Sequence, residues 1–139
     1  MPSVDGICGG CGESVKVHFG QSARHWMSGL GWWESYRCEK CGDAVEADGG
    51  DDMPDDYRRI ILEEEGAWEI RLSQRPELET DTLHRIKKAL GLTLAEVAAL
   101  KNCRGALAKG TKAEMEHKVA LLSSEGVDAC IWRSCAKAE

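Results

Sequence analysis

Cys8-Gly9-Gly10-Cys11-Gly12 and Cys38-Glu39-Lys40-Cys41-Gly42, with 26 residues between the inner cysteines, decide how the first third of this chain folds. Each is a Cys-x-x-Cys pair closed by a glycine, and two such pairs supply the four thiolates of a tetrahedral Zn²⁺ site. The glycine suits a chain that turns sharply back under a metal, because a residue without Cβ tolerates positive φ. A redox dithiol is the competing reading of Cys-x-x-Cys, but it expects a single motif at a strand-to-helix junction in a thioredoxin-like unit. The sequence around neither pair has that form. The expectation is one closed structural zinc site at Cys8, Cys11, Cys38 and Cys41. It has no open coordination position and therefore no catalytic role.

The chain has 139 residues, enough for one domain or two small ones. A piece of about 50 residues sits near the size below which a staple is needed, and zinc would be that staple. Seven cysteines would suit a disulfide-rich secreted chain, but the count is odd and the sequence opens with no charged-then-apolar leader. A reducing cytoplasm fits better. No apolar run approaches the length of about 20 residues that crosses a bilayer, so a soluble protein is expected.

The net charge of −6 is unevenly spread. Residues 1–50 carry 4 basic and 7 acidic side chains, residues 51–79 carry 4 and 10, and residues 80–139 carry 10 and 7. Phosphate binding runs on clustered Lys and Arg, so the acidic first half argues against nucleic acid and favours a partner with a basic surface.

Taken in order, the chain predicts an α+β protein. Residues 1–50 read as a zinc ribbon: Val15 to Phe19, Trp32 to Arg37 and Ala44 to Ala47 alternate as half-buried strands do. The segment from Gly20 to Gly31 is longer than an ordinary hairpin turn. Trp26, Trp32 and Trp33 either build the small core of the ribbon or stay exposed as partner anchors. Residues 51–66 read as an acidic linker helix, opened by Pro54 and closed by Gly66. Its last turn, Glu63-Glu64-Glu65, opposes the helix dipole and is a second candidate partner surface.

Residues 67–139 read as strand, helix, helix, strand, helix, strand. Trp68, Ile70 and Leu72 alternate with Glu69 and Arg71 in the first strand. Helices follow from about Thr80 to Leu90, from Leu94 to about Asn102 behind a Thr93 cap with Glu96, and from Thr111 to Gly126. In the second helix Leu94, Val97, Ala98 and the stem of Lys101 are expected to share a face. One sheet with helices on one face is the economical packing. Cys130 reads as a small buried hydrophobe. Cys103 and Cys135 have no metal spacing, and Cys135 is the candidate reactive thiol.

Residues 81–131 resemble the C-terminal domain of the bacterial ribosomal stalk protein. The likeness rests on Ile86-Lys87, on Leu90-Gly91-Leu92-Thr93-Leu94-Ala95-Glu96-Val97, on Ala108-Lys109-Gly110-Thr111-Lys112-Ala113-Glu114, and on Leu122 with Glu125-Gly126-Val127. That family recruits translation GTPases through a basic surface on its first two helices, which implies a binding role for Arg85, Lys87 and Lys88. The family's lysine after the Leu94 position is Ala95 here, and its hinge and dimerising segment are replaced by the cysteine module.

No nucleophile elbow, phosphate loop or open metal site is legible, so a non-enzyme without a small-molecule substrate is expected. The first functional expectation is a zinc-stabilised protein-binding module. Small acidic cytoplasmic proteins of this kind resemble bacterial immunity proteins (antitoxins), which cap a toxin's basic surface. The second is a translation- or transcription-associated factor.

Overall fold

The structure is a computed structural model that describes residues 1–24, 29–72, 80–100 and 106–134. It is mixed α+β, and the chain divides into two compact units, Met1–Glu64 and Glu65–Glu139.

In the first unit β1 (Ser3–Ile7), β2 (Ser14–Arg24), β3 (Gly29–Arg37) and β4 (Ala44–Gly49) form an antiparallel sheet in the order β1-β2-β3-β4. Strand β1 was not anticipated, since Ser3-Val4-Asp5-Gly6-Ile7 has little apolar alternation. It is held by register, Val4 against Val17 and Ile7 against Ser14. The long segment after Gly20 is mostly strand, with β2 running to Arg24 and β3 starting at Gly29. Trp26 lies outside the described residues.

Glycine and tryptophan face each other twice across this sheet. Gly20 pairs with Trp33 and Gly49 with Trp32. A Cβ on Gly20 would sit 2.7 Å from Trp33 Cζ2, and one on Gly49 would clash with the Trp32 indole. Successive residues point to opposite faces, so the two indoles cover one glycine on each face. Both are half-buried.

Helix α1 (Asp55–Glu65) packs on the Trp32 face. The Pro54 carbonyl accepts from the Tyr57 and Arg58 amides at 3.1 and 3.2 Å and starts the helix. Tyr57 stacks on Phe19 with centroids 4.0 Å apart, meets Trp32 edge-on at 5.9 Å, and donates its hydroxyl to Glu34 Oε1 at 2.6 Å. Phe19 and Ile61 are buried beside it. Trp32 Nε1 donates to Asp52 Oδ1 at 2.9 Å, and that bond holds the Asp52 carboxyl below its usual range. These contacts make 51–64 part of the first unit, which ends at Glu64.

The Tyr57 phenol is pushed up to about 12, first by burial and then by its bond to Glu34. A raised folded-state pKa means the contribution is complete below the ordinary value near 10 and is lost as pH rises through about 12. Tyr57→Phe keeps the stack and removes the bond, with an expected cost of about 1 kcal/mol. A pH titration of phenolate absorbance should show one tyrosine late, and that late step should vanish in the variant.

In the second unit β5 (Trp68–Leu72) is central, flanked by β6 (Ala108–Gly110) and β7 (Ala129–Arg133) in the order β6-β5-β7 with both pairings antiparallel. Helices α2 (Thr80–Leu90), α3 (Leu94–Leu100) and α4 (Lys112–Ser124) supply Leu83, Ile86, Leu100, Met115 and Leu122 to a core closed by Ile70 and Val127. Capping boxes open α3 and α4. Thr93 Oγ1 accepts from Glu96 N and Thr111 Oγ1 from Glu114 N, while each glutamate reaches back to the cap amide. Gly91 and Gly126 take φ +64° and +79° where α2 and α4 end.

The sheet face opposite the core carries Glu69, 5% exposed, held by Arg71 at 2.6 Å and by Lys109 at 3.8 Å. The inward face of α3 differs from the expectation. Leu94 is 75% exposed and Ala98 is exposed, whereas Val97 and Leu100 face the core. The helix starts at Leu94 as expected, but its first turn lies over solvent, and Val97 and Leu100, three residues apart, carry the buried face.

Candidate metal centre

The two Cys-x-x-Cys segments are the turns of two hairpins, β1–β2 and β3–β4. In each the first cysteine amide donates to the carbonyl two residues past the second cysteine, Cys8 to Glu13 at 2.8 Å and Cys38 to Asp43 at 2.7 Å. In each the glycine amide donates back to the first cysteine's carbonyl, at 2.9 Å from both Gly12 and Gly42. Gly12 and Gly42 hold φ +77° and +80°, where a side chain would be strained. The turns are duplicates at an offset of 30 residues, and the strands repeat it: Ile7 pairs with Ser14, and Arg37 with Ala44.

Packing the hairpins side by side brings Cys8, Cys11, Cys38 and Cys41 together, with all four sulfurs within 4.8 Å of one another. Cys8 Sγ lies 3.6 Å from Cys41 Sγ, and Cys11 Sγ lies 3.6 Å from Cys38 Sγ. A tetrahedron of Zn–S bonds near 2.3 Å has sulfur–sulfur edges of about 3.8 Å, so this donor set fits a four-thiolate metal ion. The separations are far beyond a disulfide bond of about 2.05 Å. Cys8 and Cys38 are buried and Cys11 and Cys41 exposed, so the site has an inner and an outer half.

The surroundings tune the thiols in opposite directions. Amides of Cys11 and Gly10 hold the Cys8 thiol down at about 7, the Gly10 amide lying 3.3 Å from its sulfur. At Cys11 the Glu13 amide favours the thiolate, but desolvation and the other three sulfurs prevail and push it up to about 12. The Cys41 thiol is also raised: the Asp43 amide opposes the rise, while desolvation and the Cys8 thiol drive it. Four thiolates so close repel one another, and a dication is what lets all of them ionise together.

Tyr36 was not foreseen. Its hydroxyl accepts from the Gly9 amide at 3.0 Å and ties the first turn to β3. Lys40 bridges to Glu13 at 3.3 Å, joining the two turns. The matched Cys-Gly-Glu and Cys-Gly-Asp triplets were the sequence signal for these paired turns.

The other candidate residues are dispersed. Glu63, Glu64 and Glu65 are exposed at the end of α1. The Glu65 carbonyl accepts from Arg133 Nη2 at 3.1 Å, which offsets part of the unfavourable helix end. Arg85 pairs with Asp81 at 3.0 Å, Lys88 with Glu125 at 3.7 Å, and Lys87 is half-buried. Cys130 is half-buried, 3.1 Å from Trp132 Nε1 on the outer sheet face. Lys101, Cys103 and Cys135 lie outside the described residues. No helix among the described residues is long and apolar enough to cross a membrane.

Fold and site together define a tetracysteine, zinc-ribbon-like module followed by a βααβαβ unit. No protein family, no curated protein and no solved structure matches this chain.

Proposed function

We propose that this protein is a non-enzymatic, metal-stapled protein-binding module whose acidic first unit docks on a basic partner, most sharply as an immunity-type protein capping a toxin. The observation that carries this reading is the charge of the surface. Residues 1–64 hold 6 basic and 13 acidic side chains, and four bound thiolates around a dication add two more negative charges. Glu63, Glu64 and Glu65 are exposed and make no ion pair among the described residues. A field of that sign accelerates encounter with a basic surface and repels polyanions. Four thiolates fill a tetrahedral ion, which suits a scaffold rather than a catalyst.

The test is affinity capture from the native host with the wild-type chain and with a Glu63→Lys, Glu64→Lys, Glu65→Lys variant. The reading expects one basic protein retained by the wild type, released by salt and lost by the variant. Equal retention by both, or no partner, ends it. A second reading, a translation-associated factor, draws on the βααβαβ order that the stalk-domain resemblance implies and on exposed Arg85 and Lys88. It expects co-sedimentation with ribosomes, weakened by Arg85→Glu and Lys88→Glu together.

A further inference from the structure

The duplicated hairpins supply an internal control. Positions 30 residues apart hold the same place in their hairpins, although β2 and β3 are central and β1 and β4 are edge strands, yet Lys16, His18, Arg37 and Lys40 correspond to Glu46, Asp48, Ile7 and Gly10. The hairpin pairing and its turn therefore do not require basic side chains at the first set. Those four residues nonetheless converge, together with Ser14, Glu13 and Glu39, on one groove of about 480 Å³ beside Cys38. Ser14, Lys16 and His18 alternate along β2, and Arg37 lies two residues beyond Ser35, the cross-strand partner of His18, so all four are on one face of the sheet.

Three of the six basic side chains of residues 1–64 line this groove, in a unit that carries 13 acidic ones. Lys40 is engaged with Glu13. Lys16 and Arg37 are exposed and make no ion pair among the described residues. His18 Nδ1 is buried without a hydrogen-bond partner, a cost that native proteins seldom leave unexplained.

We propose that this groove binds a small ligand through one compact oxyanion, a phosphate monoester or a carboxylate, held between Lys16 and Arg37. A guanidinium and an ammonium are the two side chains that bind such groups through charge-assisted hydrogen bonds. The volume suits a small molecule rather than a bare ion. A polyanion is disfavoured, because phosphodiester chains gain affinity from many cations at once and the surrounding unit is strongly acidic.

The test is an NMR titration of the full, metal-loaded chain with inorganic phosphate and, separately, with acetate; the stronger of the two identifies the oxyanion. Saturable shifts confined to the amides of Lys16, His18, Arg37 and Lys40 are expected. Lys16→Ala with Arg37→Ala should weaken binding about tenfold or more while bound metal and spectral dispersion stay unchanged. Both positions are exposed, so the variant should fold; Lys16→Glu alone, adding a repelling charge, is the second variant and should weaken binding as well. The proposal fails if neither anion gives saturable shifts, or if the variants lose metal instead, which would mean that the cations only balance the thiolate charge. Tighter, steeply salt-dependent binding of a single-stranded oligonucleotide would overturn the small-ligand assignment.

Discussion

Removing the metal with a strong chelator is expected to unfold residues 1–64 and leave residues 65–139 folded. The buried cluster around the cysteine turns is Cys8, Val15 and Cys38, with Val17 and Tyr36 against it, so two of its three buried members belong to the four-cysteine cluster itself. Phe19 and Ile61 add a little apolar area under α1. A core of that size supplies only a few kcal/mol, whereas structural zinc in small modules contributes roughly 10–16 kcal/mol at neutral pH. Metal-free, the four sulfurs would also keep thiols whose preferences conflict, Cys8 near 7 and Cys11 near 12. Amide exchange before and after chelation checks this: protection should collapse across β1 to β4 and persist in α2 and α4. Cys8→Ser and Cys38→Ser should reproduce the collapse without chelator. Retained protection in β2 and β3 after verified metal loss would show that the sheet stands by itself.

Ile86→Ala should do the reverse. Ile86 is 0% exposed at the centre of the second core, among Ile70, Leu83, Met115 and Leu122. Truncating a fully buried isoleucine removes its transfer free energy and leaves a cavity, for a cost of roughly 2–5 kcal/mol. That is a large share of the stability of so small a unit. The denaturant transition of residues 65–139 should move to clearly lower midpoint or disappear, while metal content and the Tyr57 phenolate step stay as in the wild type. Leu94→Ala is the control, since Leu94 is 75% exposed and its loss should change stability little. Loss of bound metal in Ile86→Ala would contradict the separateness of the two cores.

How much of this was legible depends on whether the signal was local. The cysteine spacing, the two glycines after them, the alternation of Trp68, Ile70 and Leu72, and the Thr93 and Thr111 caps all act within a few residues, and each structure formed where its pattern stood. Strand β1 was missed because its evidence lies in its partner, with Val17 packing over Gly6. The place of α1 was missed because an acidic, glycine-flanked segment reads as a linker until Phe19, Trp32 and Glu34 are known to await Tyr57. The phase of α3 was missed because a seven-residue helix has too few turns to reveal its buried face.

The sequence by itself determined the four-thiolate donor set and the βααβαβ order, since spacing, alternation and capping are properties of neighbouring residues. Only the tertiary structure decided that the hairpins lie side by side with sulfurs 3.6 Å apart, that each tryptophan covers a glycine, and that Lys16 and Arg37 share a groove. Those outcomes depend on register between strands distant in the chain, which no single segment encodes.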